Sequence, residues 1–266
     1  MESPCLAVRL RVGEHGIPAP GFGEIASLAE SAGAEALFVS GDREGGGAND
    51  PFVLLGAATS RTSRIRLGCL STPIEERHPS ILAKTLTSLD VCSGGRAIAC
   101  VAANFAEGAD PAGTLVEGVS ILRAMFELPA PSFHGEHFSI TEAWNEPRVL
   151  RDRPIPIGVA IDSRSTNDHS DAVQAAQIAV ALLEHVDFVV TDWHPGTTEV
   201  LIPGTPVLAI IVTSSLGDVD AAVASAVHAG CAGVVLDFLE VPKPDALART
   251  LAFARDAIGR FTQAGD

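Results

Sequence analysis

Residues 29–40 read A-E-S-A-G-A-E-A-L-F-V-S. Residues 50–68 read D-P-F-V-L-L-G-A-A-T-S-R-T-S-R-I-R-L-G, and residues 77–96 read R-H-P-S-I-L-A-K-T-L-T-S-L-D-V-C-S-G-G-R. The stretch alternates helix and strand. Phe22–Ala32 carries apolar residues at helical spacing (Ile25, Leu28, Ala29, Ala32), and Gly33 stops it. Ala36–Ser40 is a short apolar strand. Asp50-Pro51 opens the next helix, with Asp as N-cap and Pro in the first turn, and that helix runs to Ser60. Ile65–Leu70 is a strand, Pro79–Val91 a helix, and Gly94-Gly95 ends it. Such alternation builds parallel βαβ units.

The pattern continues in both directions. Leu6–Val12 precedes it as the first strand; Arg96–Ala103, Ile155–Ile161, Asp187–Thr191, Val207–Val212 and Gly233–Phe238 follow. Helices are expected at Leu115–Phe126, Asp171–Leu183, Asp218–His228 and Pro244–Phe261. Ser132–Ile140, with the turn His134-Gly135-Glu136, reads as a hairpin outside the alternation. Between Trp193 and Pro206 there is room only for a reduced or missing sixth helix. Eight strands in 266 residues match one (β/α)₈ TIM barrel of ~250 residues. An open dinucleotide-binding sheet would place a Gly-rich turn after its first strand, and Gly13-Glu14-His15-Gly16 lacks that fingerprint. The expectation is a single TIM-barrel domain over 1–266.

Composition narrows the function classes. The net charge is −15 and the pI about 4.8. Lys84 and Lys243 are the two lysines. Nucleic-acid binding needs clustered cations, so it is set aside. No apolar run approaches the ~18 residues of a membrane span. The five cysteines are odd in number and lack C-x-x-C spacing, which fits reduced thiols in a cytoplasmic protein.

In this order, the D-P, T-S-R-I-R-L-G, R-H-P, L-D and S-G-G-R motifs resemble the bacterial-luciferase-like monooxygenase family. F-H-G-E-H-F at 133–138 and Pro154-Ile155-Pro156-Ile157 match its usual middle, and the likeness fades beyond Ile161. The resemblance implies an oxidoreductase or monooxygenase acting on a small organic substrate. Its cofactor would be reduced FMN first, a deazaflavin second. It also implies a homodimer through the second and third helices. Three departures stand against it. Strand two ends in Gly41-Asp42-Arg43, where deazaflavin relatives often have Asp-His. Cys100–Asn104 replaces a Gly-rich run. The long late insertion that helps cover the cofactor is absent. The alternative is a barrel that has lost the flavin and works through Asp and His residues as a non-redox enzyme or ligand-binding protein.

Barrel sites lie at the C-terminal ends of strands. Ser71 and Thr72 follow strand three, where the family often has a strained bulge behind the isoalloxazine ring; an ordinary turn into Pro73 is the other reading. Asn104 offers a polar contact to a ring edge, and Ser163 with Arg164 a phosphate contact. Asp42, Asp162, Asp192 and Asp237 fall at strand ends. Capping of the following helices accounts for most of them, and a converging pair would suit acid–base work or a divalent cation. Asp42, Asp162 and His194 are the catalytic candidates, and no metal site is assigned. His78 reads as structural, and His134 and His137 as exposed hairpin residues.

Overall fold

The computed structural model describes residues 5–12, 19–41, 50–102, 110–150, 154–161, 182, 185–193, 204–213, 216–239 and 242–263. Parallel strands close into a ring. They run in the order β1 (Cys5–Val12), β2 (Ala36–Gly41), β3 (Arg66–Cys69) with its short continuation β4 (Thr72–Pro73), and β5 (Ala97–Ala102). The ring continues through β8 (Ile157–Ile161), β9 (Phe188–Asp192), β10 (Val207–Val212) and β11 (Gly233–Phe238). β11 pairs back onto β1, with Arg9 opposite Asp237, and β3 pairs β5 to complete the closure. This is the TIM-barrel fold read from the alternation.

Around the ring lie α1 (Ala19–Ser31), α2 (Pro51–Thr59), α3 (Pro79–Ser93), α4 (Pro111–Glu127), α5 (Leu216–His228) and α6 (Pro244–Gln263). The hairpin β6 (Phe133–His134) and β7 (Ser139–Ile140) forms a separate antiparallel pair. Helix α4 begins at Pro111, earlier than the expected Leu115. Asp110 caps it by accepting the Gly113 N–H at 3.0 Å, the same Asp-Pro start that opens α2. The expected helix Asp171–Leu183 lies outside the described residues except for Leu182, which is helical, as do residues 194–203 of the reduced sixth unit.

Strand residues alternate between two apolar layers. Val8, Leu10, Leu37, Val39 and Leu236 join the core beneath the helices, while Ala7, Phe38, Cys100, Val190 and Val235 pack inside the ring. Two glycines make room there. A Cβ on Gly68 would lie 2.7 Å from the Ile98 carbonyl oxygen and 3.2 Å from the Phe38 ring, and one on Gly158 would overlap the Phe188 ring. The inside is therefore packed low in the barrel, not a pore.

The motif residues of 50–96 are mostly ties between helix ends. The buried Arg96 donates to the carbonyls of Ser93, Thr59, Thr62 and Ile65, and to the Thr62 hydroxyl. Glu30 accepts the N–H groups of Ser63, Arg64 and Ile65 at 2.6–3.2 Å. Burial pushes its carboxyl up, but these donors outweigh that and hold it below its ordinary 4.5. Arg77 pairs with the α2 cap Asp50 at 2.6 Å and stacks over Phe52. His78 caps α3, accepting the Ser80 N–H at 3.3 Å.

A lysine at 96 replaces the planar fork with one point charge and strands several buried carbonyls. Arg96→Lys should lower unfolding free energy by about 2–4 kcal/mol, read from the urea midpoint at unchanged slope. A loss under ~0.5 kcal/mol, the range of ordinary surface changes, would show that the ties are dispensable.

Candidate active site at the mouth of the barrel

Parity decides which strand residues look into the barrel. On β1 the inward positions run Ala7, Arg9, Arg11; on β11 they run Val235, Asp237. Asp237 is fully buried and holds Arg11 through two hydrogen bonds, 3.1 Å to Nε and 2.5 Å to Nη2. The Arg9 guanidinium lies 3.7 Å from the same carboxylate and donates from Nε to the Ser40 hydroxyl at 2.9 Å. Asp192 is buried at the end of β9, opposite Ile210 of the inner layer. A buried charge survives only when paired and hydrogen-bonded, and this cluster meets that condition. Asp237 is thus a strand residue bound to two guanidiniums.

The opposite half of the mouth is apolar. Leu70, Cys100, Ala102 and Ala160 face inward there. Ser71 interrupts this wall. Its φ of 57° lies in the left-handed region, uncommon for a residue with a side chain. Register shows why. Gly68 pairs Ile98 and Thr72 pairs Val101, so four steps on one strand (72 − 68) meet three on the other (101 − 98). One residue is extra, which is a β-bulge. Of the two sequence readings, the strained bulge is the one found, at a cost of about 1–3 kcal/mol.

The bulge also reverses parity. Thr72 pairs with Val101, a residue of the outer core, and its hydroxyl bonds the Cys69 thiol on that side. Thr72 therefore reaches the mouth through its backbone alone. Cys100 stands inside, next to the bulge. Burial pushes its thiol up to about 12, against the opposing Ser71 N–H, and burial likewise takes Cys69 to about 11. Burial thus favours the neutral thiol in both, Cys100 in the wall of the mouth and Cys69 in the outer core. Cys231 is buried, while Cys92 is exposed.

Of the sequence candidates, Ser71 is the bulged residue and Thr72 follows it. Asp42, Asn104, Asp162, Ser163, Arg164 and His194 lie outside the described residues. Trp193 turns outward, buried in the outer core with its indole N–H 3.3 Å from the Ser225 hydroxyl of α5. Arg9 and Arg11 were missed by the sequence reading. Their signal was present: two cations at i and i+2 in an apolar strand of a sheet buried on both faces. Among the described residues no group of His, Cys, Asp and Glu is arranged to hold a metal ion.

The sequence profile described as luciferase-like monooxygenase matches residues 6–184. An uncharacterized protein of Mycobacterium tuberculosis is 32% identical over 123 residues, 42% of this chain and 43% of that protein. The chain thus spans less than half the length of the curated relatives it matches. The coenzyme F420-dependent tetrahydromethanopterin reductase of Methanopyrus kandleri superposes with a TM-score of 0.73 at 15% identity, over 97% of this chain and 99% of that one. An F420-dependent secondary alcohol dehydrogenase, solved with an F420–acetone adduct, gives 0.71 at 15% identity over 96% and 99%. Identities this low speak to the fold.

The bulge yields a stability test. Glycine adopts positive φ without penalty, so Ser71→Gly should stabilise by about 1 kcal/mol. Ser71→Val should destabilise by about 1–3 kcal/mol. Thermal unfolding of the two variants decides, and a more stable valine variant would contradict the assigned conformation.

Proposed function

The chain belongs to the luciferase-like monooxygenase family, and on that premise we propose that it is an oxidoreductase. It would work on a small organic substrate with a flavin-type tricyclic cofactor. The observation that carries this reading is the Ser71 bulge, set in a wall of apolar side chains facing a charged half.

Those features fit a flat heteroaromatic ring. Ala102 and Ala160 give it an apolar floor without bulk beside Leu70, and the strained peptide at Ser71 fixes one face. Such strain recurs where a protein must pre-organise a ligand clamp. The bound group would supply hydride chemistry. The chain's own part is to bind, orient and exclude water. Arg9 and Arg11 are held by Asp237, so the charged half is rigid before any ligand arrives. Sequence reading put FMN first and a deazaflavin second; coenzyme F420 is named for the two relatives above, and we propose either as the bound group. Asp42, Asp162 and His194 remain the proposed proton-handling groups, with Asn104, Ser163 and Arg164 as proposed cofactor contacts.

Fluorescence titration with coenzyme F420 and with FMN tests the cofactor. Saturable binding near micromolar, about −8 kcal/mol, is expected for at least one, with five- to tenfold weakening in Ser71→Val. No binding of either by the folded protein would move function to the charged half as a non-redox site.

We further propose a homodimer through α2 and α3, where Val53 and Ile81 are exposed at 66% and 57%. Large exposed apolar side chains on packed neighbouring helices favour an interface. Light scattering should give twice the 27.5 kDa chain mass, and Ile81→Glu should return it to one. A wild-type monomer at tens of micromolar would end this reading.

No described helix is long and apolar enough to cross a membrane.

A further inference from the structure

In the charged half of the mouth, Arg11 carries a donor that the described residues do not consume. Arg9 and Arg11 share one carboxylate, but they differ in depth. The Arg9 side chain is 11% exposed and bonds Ser40 as well; that of Arg11, one inward step nearer the C-terminal end of β1, is 22% exposed. Arg11 spends Nε and Nη2 on Asp237. Its Nη1 has no partner among the described residues. A guanidinium carries five N–H donors in a planar fork and no acceptor. Fixing one edge of the fork to a fully buried carboxylate aims the rest. A ring-and-wall site for a neutral ligand needs no such group, and burying charged side chains costs desolvation that apolar ones would avoid.

We propose that Arg11 is the oxyanion-receiving group of the mouth, taking a carboxylate or phosphate of the bound molecule on Nη1, with Asp237 as the residue that positions it. This deepens the oxidoreductase reading and rests on it for the place of the cofactor. Two sources of the oxyanion fit the same chemistry: the phosphate of the cofactor's side chain, and a carboxylate on the substrate. A charge-assisted contact of this kind is roughly twice as strong as a neutral one, and it would discriminate between molecules otherwise alike in shape.

Paired probes separate the sources. FMN against riboflavin, and coenzyme F420 against its phosphate-free chromophore, differ in the cofactor oxyanion. Benzoate against benzamide differs in charge at nearly constant shape. Fluorescence quenching and calorimetry on the wild-type protein should show at least tenfold preference for the charged member of one pair, or about 1.4 kcal/mol. Arg11→Lys keeps a cation beside Asp237 and removes the fork, and it should cut that preference to under threefold. Arg11→Leu should abolish it; should that variant fail to fold, the lysine variant and the wild-type preference still decide. Preference lost in a flavin pair assigns the oxyanion to the cofactor, and preference lost in the benzoate pair assigns it to the substrate. Equal binding or no binding within every pair, or a preference that survives in folded Arg11→Lys, overturns the assignment. A protein that binds no cofactor yet prefers benzoate overturns the oxidoreductase reading and leaves the role of Arg11 standing.

Discussion

Closing eight parallel strands into a ring is the constraint on which the rest depends. Once the ring closes, every second residue of each strand is committed to the inside. The lower inside must be filled, and Phe38 and Phe188 fill it because Gly68 and Gly158 leave them space. At the C-terminal ends of β1 and β11 the inward positions are charged, and a buried charge is tolerable only with partners. Arg9, Arg11, Ser40 and Asp237 are therefore one unit and not four separate residues. Replacing Asp237 alone would leave two guanidiniums without their shared carboxylate, the situation in which a broken buried pair costs most.

Against that fixed parity, one inserted residue has a large local effect. The extra residue at Ser71 turns the following side chain, Thr72, from the mouth to the outer core and leaves a strained peptide at the wall. The hairpin braces the region from outside. Glu117 of α4 accepts the N–H groups of Glu136, His137 and Phe138 at 2.7–2.9 Å, and the Phe138 ring meets the α3 cap His78 edge-on at 5.6 Å. A Cβ at Gly118 would overlap Ile74, which lies just beyond the bulge. α4 therefore packs directly against the segment that leaves the bulge. The strain at Ser71 is held between this outer brace and the β5 register.

Much of the fold was legible in the sequence because it rests on local signals. Asp-Pro starts, glycine stops and apolar runs located the described strands and helices to within a few residues. The start of α4 was set too late because Asp110-Pro111 was not read as the cap that Asp50-Pro51 plainly is. The motifs that carried the resemblance are, in the structure, mainly helix-end ties: Arg96, Glu30, Arg77 and His78. That explains how a family signature can be intact here while the strand ends differ. Its residues hold the barrel together and do not report on the chemistry.

The site was less legible for a physical reason. Its described polar part is built from residues far apart in the chain, with Arg11 and Asp237 separated by 226 positions, and only ring closure brings β1 beside β11. A reading that treats each strand end separately sees aspartates that look like caps, because capping is what a lone Asp before a helix does. The arginines were the better clue. An aspartate near a strand end has a cheap local explanation, but two inward cations in a strand buried on both faces have none. Such residues demand a carboxylate from elsewhere in the ring, and the search for that carboxylate leads to Asp237 and to the mouth.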